Sequence, residues 1–213
     1  MKTGPQTKIQ AVIFDFGGVL CFPPSEAQWR EAAAFCGAHP TAFEAAFWEN
    51  RDAYDCGQDP REYWENTGSR LGLAFGEETI EGLMQREIQF WSRIDERVLG
   101  WIGDLRASNI RTGILSNLPR PLGEALKVSP GFLGHFDGVT FSYELGVVKP
   151  HAAIFHSAVG GLGIHAGEAL FLDDRAANVE GARSAGLTAE IFTTWENFLA
   201  RDPQGYGLPA ARR

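Results

Sequence analysis

Four short stretches carry the residue types from which chemistry could be built. They are Asp15 with Gly17 and Gly18 behind it, Ser116-Asn117, Lys149, and the pair Asp173-Asp174. Carboxylates serve as nucleophiles and as hard oxygen ligands, a lysine supplies positive charge, and small residues leave backbone amides open to an anion. Each stretch alone has an ordinary explanation. A strand-end aspartate caps a helix, Ser-Asn makes a turn, Gly-Gly makes a tight turn, and a lysine before proline sits on an exposed loop. Their occurrence together and in this order is what structure alone explains poorly.

The elements that must position them follow from hydrophobic patterning. Residues 9–14 form an apolar, partly β-branched run that ends at Asp15. Similar runs cover residues 112–115 before Ser116, 139–141 before Ser142 and 169–172 before Asp173, with 188–192 as a fifth. Runs that are apolar throughout predict strands buried on both faces of a parallel sheet. Between them, residues 95–108 place Val98, Leu99, Ile102 and Leu105 at helical spacing, and further helices are expected over 151–159, after Pro150, and over 176–185, before Gly186. The alternation predicts a doubly wound, Rossmann-like parallel α/β sheet, in which ligands bind beyond the carboxyl ends of the strands. Asp15, Ser116-Asn117 and Asp173-Asp174 all fall at such ends.

Residues 23–91 read differently. They carry no convincing strand, and Pro23-Pro24, Gly37, Pro40, Gly57, Pro60 and Gly72 cut them into about four helices rich in Ala, Glu, Arg and aromatics. The expected organisation is a core of residues 8–22 and 92–213 with an all-helical insertion over 23–91. Most of the insertion's aromatics are expected to form its own core. Trp48, Arg51, Tyr54 and Trp64 are candidates for the rim of a site, and Arg51 is a candidate contact for an anionic substrate.

Composition narrows the function classes. A chain of 213 residues suits one α/β domain with a modest insertion. The net charge of −8 argues against a broad basic surface for nucleic acid, so an anionic substrate must be met by a local positive site. Cys21, Cys36 and Cys56 are odd in number and widely spaced, as expected of reduced thiols in a cytoplasmic protein. No His or Cys cluster suggests a soft metal site. Residues 1–10 lack the apolar stretch of a signal peptide, and no run reaches ~18 apolar residues, so no membrane span is expected. A monomer or homodimer acting on a small molecule fits these features.

Phe14-Asp15-Phe16-Gly17-Gly18-Val19, Leu115-Ser116-Asn117, Val148-Lys149-Pro150 and Phe171-Leu172-Asp173-Asp174 with Asn178 resemble the four motifs of the haloacid dehalogenase-like (HAD) hydrolase superfamily. The resemblance spans residues 9–192, and the insertion falls where that family places a helical cap. Residues 48–64 are similar to caps of the subgroup that includes glucose-1-phosphate phosphatases and the N-terminal phosphatase domain of soluble epoxide hydrolases. The resemblance implies a Mg²⁺-dependent phosphomonoesterase acting on a small phosphorylated metabolite, such as a sugar phosphate, through an aspartyl-phosphate. Asp15 would be the nucleophile. Asp15, Asp174 and the Gly17 carbonyl would ligate Mg²⁺, with Asp173 in support and Asn178 orienting Asp174 or a metal-bound water. Ser116, Asn117, Lys149 and the amides of Phe16 and Gly17 would bind the phosphoryl group.

One position departs from the pattern. Most phosphatases of this family carry a second aspartate two residues after the nucleophile, where it protonates the leaving group; here that position is Gly17. General acid catalysis is worth ~10²–10⁴-fold, so a good leaving group, a stand-in such as water or His151, or a low rate is expected. The rival readings are a metal-independent 2-haloacid dehalogenase and a non-catalytic or weakly active binding protein. The adjacent carboxylates Asp173-Asp174 weigh against the first, since without a cation they would repel a carboxylate substrate.

Overall fold

The all-apolar runs become strands that share one sheet. A computed structural model describes residues 8–201 and 203–210. Residues 1–7, which include most of the N-terminal stretch expected to lack a signal, and the core residues 202 and 211–213 lie outside the described residues. β1 (Ala11–Phe14), β2 (Arg111–Ser116), β3 (Gly138–Phe141), β4 (Ala169–Asp173) and β5 (Thr188–Ile191) pair in parallel in the order β3-β2-β1-β4-β5. β1 is central and every one of its residues is buried, as its uninterrupted apolar run requires. Phe14 lies opposite Ile114 on one side and Leu172 on the other, which brings the carboxyl ends of β1, β2 and β4 to one edge.

Five helices fill the segment between β1 and β2 ahead of α6. They are α1 (Glu26–Cys36), α2 (Pro40–Glu49), α3 (Arg51–Asp55), α4 (Pro60–Arg70) and α5 (Glu77–Phe90). The sequence suggested four, because the break between α2 and α3 falls at Asn50, with no Gly or Pro to mark it. Trp29, Phe43, Phe47, Tyr63, Trp64 and Phe90 make a separate aromatic core among these helices. The chain enters and leaves this unit side by side: the Phe22 amide donates to the Arg93 carbonyl and the Asp95 amide to the Leu20 carbonyl, both at 2.9 Å.

α6 (Glu96–Ala107) opens on an Asp95 cap that accepts from the Arg97 amide, and its Trp101 and Leu105 pack with Val12 and Phe14 on one face of the sheet. α7 (Arg120–Val128), the short α8 (Ser142–Leu145), α9 (Ala152–Gly161), α10 (Ala176–Ser184) and α11 (Trp195–Ala200) complete the core. α9 and α10 cover the other face, where Ile154, Phe155 and Val179 meet Ala11, Ile13 and Phe171. No described helix is long and apolar enough to cross a membrane.

Candidate active site

Parallel pairing delivers the chemistry-bearing residues to one place. Asp15 directly follows β1, Ser116 ends β2, and Asp173 ends β4 with Asp174 next in the chain. Asp15, Asp173 and Asp174 each offer a carboxylate oxygen within 4.8 Å of the others. Lys149, on the loop between α8 and α9, reaches into this cluster. Its Nζ lies 2.8 Å from Asp15 Oδ1 and 2.7 Å from Asp173 Oδ2, and donates to the Leu115 carbonyl at 3.1 Å. The lysine is only 3% exposed, so its charge acts at close range and little screened.

The charges are not balanced, and the protonation equilibria reflect it. Burial drives the Asp15 carboxyl up to about 7; Lys149 pulls it down, and Asp173 and Asp174 push it further up. Asp174 is also raised, mainly by desolvation and then by Asp173. Burial alone would lower the Lys149 ammonium, but Asp15 and Asp173 outweigh it and hold it above its ordinary value. Three converging carboxylates with one cation form a hard-oxygen site short of positive charge, which suits a divalent ion such as Mg²⁺. Asp173 is the most engaged of the three: it accepts from Lys149, from the Arg175 amide at 2.8 Å and from Asn178 Nδ2 at 3.0 and 3.1 Å. Asn178 therefore fixes Asp173, and not Asp174 as expected. Among the described residues nothing donates to the Gly17 carbonyl, which leaves that oxygen free for a ligand.

The turn after β1 needs its glycines for two different reasons. Gly18 adopts φ +77°, and a Cβ there would sit 2.5 Å from Asp174 Oδ2. At Gly17 a Cβ would sit 2.9 Å from Cζ3 of Trp91, whose indole covers this stretch of backbone. The Phe16 amide donates to Asp15 Oδ1 at 2.7 Å and fixes the carboxylate beside the turn. Asn117 uses both ends of its amide on the lysine loop: Nδ2 donates to the Lys149 carbonyl (3.1 Å) and Oδ1 accepts from the Lys149 amide (2.8 Å). Its visible task is to hold Lys149 in place.

A cavity of about 530 Å³ opens above these residues. On the core side it is lined by Asp15, Phe16, Gly17, Ser116, Lys149 and Asp174, and on the helical side Trp48 and Arg51 reach it as expected. Arg51 is not free: Nη1 lies 2.5 Å from Glu87 and Nε 2.9 Å from Asp55, with the side chain almost fully buried. Tyr54 and Trp64 are 0% and 1% exposed, belong to the aromatic core, and do not line the cavity. Sequence reasoning missed Trp91, Glu44, Asp52, Asp55 and Arg175, which do line it; no local pattern sets them apart from surface residues. His151 is the N-cap of α9, accepts from the Ala153 amide through Nδ1, and is not among the residues that line the cavity. Cys21 is a buried thiol pushed up by desolvation and then by Asp15.

Known proteins are similar to this chain in sequence and in fold. A family model for haloacid dehalogenase-like hydrolases matches residues 9–186. A phosphoglycolate phosphatase of Yersinia pseudotuberculosis is 27% identical over 194 residues, 89% of this chain and 83% of its own. A HAD-family enzyme of Bacteroides thetaiotaomicron, solved as an Asp-to-Ala mutant with magnesium and inorganic phosphate, is similar with a TM-score of 0.71 at 19% identity, over 89% of this chain and 98% of that one. An L-2-haloacid dehalogenase of Xanthobacter autotrophicus is similar with a TM-score of 0.66 at 22% identity, over 91% and 82% of the two chains. At these identities the two structures speak for the fold.

Proposed function

From the premise that this chain belongs to the haloacid dehalogenase-like hydrolase family, we propose that it is a Mg²⁺-dependent phosphomonoesterase acting on a small phosphorylated metabolite. The observation that carries this reading is the meeting of Asp15, Asp173 and Asp174 oxygens within 4.8 Å, with the Lys149 ammonium 2.8 Å from Asp15. A carboxylate attacking a phosphate ester faces anion–anion repulsion, and the site answers it with one fixed lysine and a place for a divalent cation. Asp15, Asp174 and the Gly17 carbonyl would hold Mg²⁺, which supplies charge neutralisation and polarises the phosphoryl group when bound.

In this reading Asp15 Oδ attacks phosphorus, the bond to the ester oxygen breaks, and an aspartyl-phosphate forms. Water then attacks the phosphorus, regenerating the Asp15 carboxylate and releasing inorganic phosphate. Lys149, Ser116 and the Phe16 and Gly17 amides bind the phosphoryl oxygens, and Asn117 keeps the lysine loop in register. With glycine at position 17, the departing alkoxide takes its proton from water. The helical unit over residues 23–91 is the cap that closes the site and sets specificity. A sugar phosphate is one substrate of suitable size, and the unbridged cysteines agree with a cytoplasmic location.

The test is a screen of phosphorylated metabolites with Mg²⁺. Phosphate release that EDTA abolishes supports the reading. Metal-independent halide release from a 2-haloacid would replace it with the dehalogenase, and no release from any ester between pH 5 and 9 would leave a binding protein.

A further inference from the structure

One end of the cavity is suited to a phosphoryl group; the opposite wall determines what that group can be attached to. That wall comes from α2 and α3 and presents Glu44, Trp48 and Asp52. Glu44 and Asp52 are exposed, and neither carboxylate has an ion-pair or hydrogen-bond partner among the described residues. Trp48, between them in the chain, is 43% exposed, its ring edge-on against Phe47 and Trp29 and with the Arg51 guanidinium 5.6 Å from its centroid. The wall's one arginine, Arg51, has no charge to spare. Asp55 and Glu87 share its guanidinium, two carboxylates to one cation, at 2.9 and 2.5 Å. On the core side Arg175 directly follows Asp174 in the chain and lines the phosphoryl end of the cavity.

Two unpaired carboxylates beside an exposed indole attract cations and repel anions. We propose that this site selects phosphate esters whose organic part carries no negative charge, and favours those bearing an amine or quaternary ammonium group set against Glu44, Trp48 and Asp52. The proposal rests on the phosphomonoesterase reading and sharpens its substrate class. It also separates this chain from a relative named for phosphoglycolate, an ester whose organic part is a carboxylate.

The experiment compares esters with similar alkyl leaving groups at one pH with Mg²⁺, using the full chain. The organic part is cationic in phosphocholine and phosphoethanolamine, neutral in ethyl phosphate and anionic in phosphoglycolate; p-nitrophenyl phosphate reports turnover as such. The expected order of kcat/KM is cationic, neutral, anionic, with about tenfold between classes at low salt and less at high salt. In the double variant Glu44→Gln, Asp52→Asn the ratio of phosphocholine to phosphoglycolate should fall by about tenfold or more. Because both rates are read on the same preparation, partial misfolding cancels. Phosphoglycolate turned over as well as phosphocholine, or a ratio unmoved by the double variant, overturns the proposal and leaves the phosphatase reading standing. Turnover of p-nitrophenyl phosphate with none of the four alkyl esters does the same. No release from any ester, p-nitrophenyl phosphate included, overturns the phosphatase reading itself.

Discussion

Asp15 and Gly17 stand two residues apart and carry opposite kinds of information about rate. Asp15 is the only carboxylate of the cluster held against both the Lys149 ammonium and the Phe16 amide. Asp15→Asn keeps the shape and removes the proposed nucleophile, so phosphate release from p-nitrophenyl phosphate should fall by about a thousandfold or more while circular dichroism and the thermal melt change little. Gly17 is harder to read from sequence. Restoring an aspartate there looks like a gain of a general acid, but the Trp91 ring would lie 2.9 Å from the new Cβ. Gly17→Asp alone should therefore lower the melting temperature, at a cost of about 1–3 kcal/mol, without raising turnover. Gly17→Asp combined with Trp91→Ala should raise kcat on alkyl phosphates about tenfold or more relative to p-nitrophenyl phosphate, whose leaving group needs no acid. A rate gain in the single variant would show that the indole does not hold this position closed.

At the scale of elements, the strand ends were legible because an uninterrupted apolar run has one use in this fold, and the polar residue ending it must then sit at the sheet's edge. The same logic found Asp15, Ser116 and Asp173, and the loop after the third strand added Lys149. Contacts between separate loops left no trace. Asn117 looked like a ligand residue, yet its amide bridges the β2–α7 loop to the α8–α9 loop at 2.8 and 3.1 Å. Asn117→Ala should cost about 1–3 kcal/mol in the melt, because two partners on the Lys149 backbone lose their hydrogen bonds. It should also lower kcat by freeing the lysine. An equal melt and an equal kcat would show that the loops hold their register without it. Within the helical unit, amphipathic patterning cannot say which of two faces meets the core domain. Tyr54 and Trp64 therefore went to the wrong face, and Glu44 and Asp52 went unnoticed. Helices α7 and α11 were also not read.

At the scale of the whole molecule, a chain with net charge −8 has buried further acid in its helical unit, and stability should register it. Asp55 is raised to about 7 by burial, with Arg51 opposing and Glu87 adding to the rise. A carboxyl with a raised folded-state pKa binds its proton more tightly folded than unfolded. Its stabilising contribution is complete below the ordinary value near 3.8 and is lost as the pH climbs through about 7. Asn at this position mimics the protonated form at every pH. Asp55→Asn and the parent should thus differ least near pH 4, and the variant should become progressively the more stable of the two as pH rises through 7 to 8, by on the order of 1–3 kcal/mol. Asp15 adds a drift of the same sign in EDTA, and Mg²⁺ should remove it, since a bound cation favours the ionised carboxylate. Thermal melts of both proteins from pH 4 to 8, with EDTA and with Mg²⁺, separate the two contributions. A difference between parent and variant that stays constant with pH would mean that Asp55 is already ionised throughout, its charge fully met by Arg51.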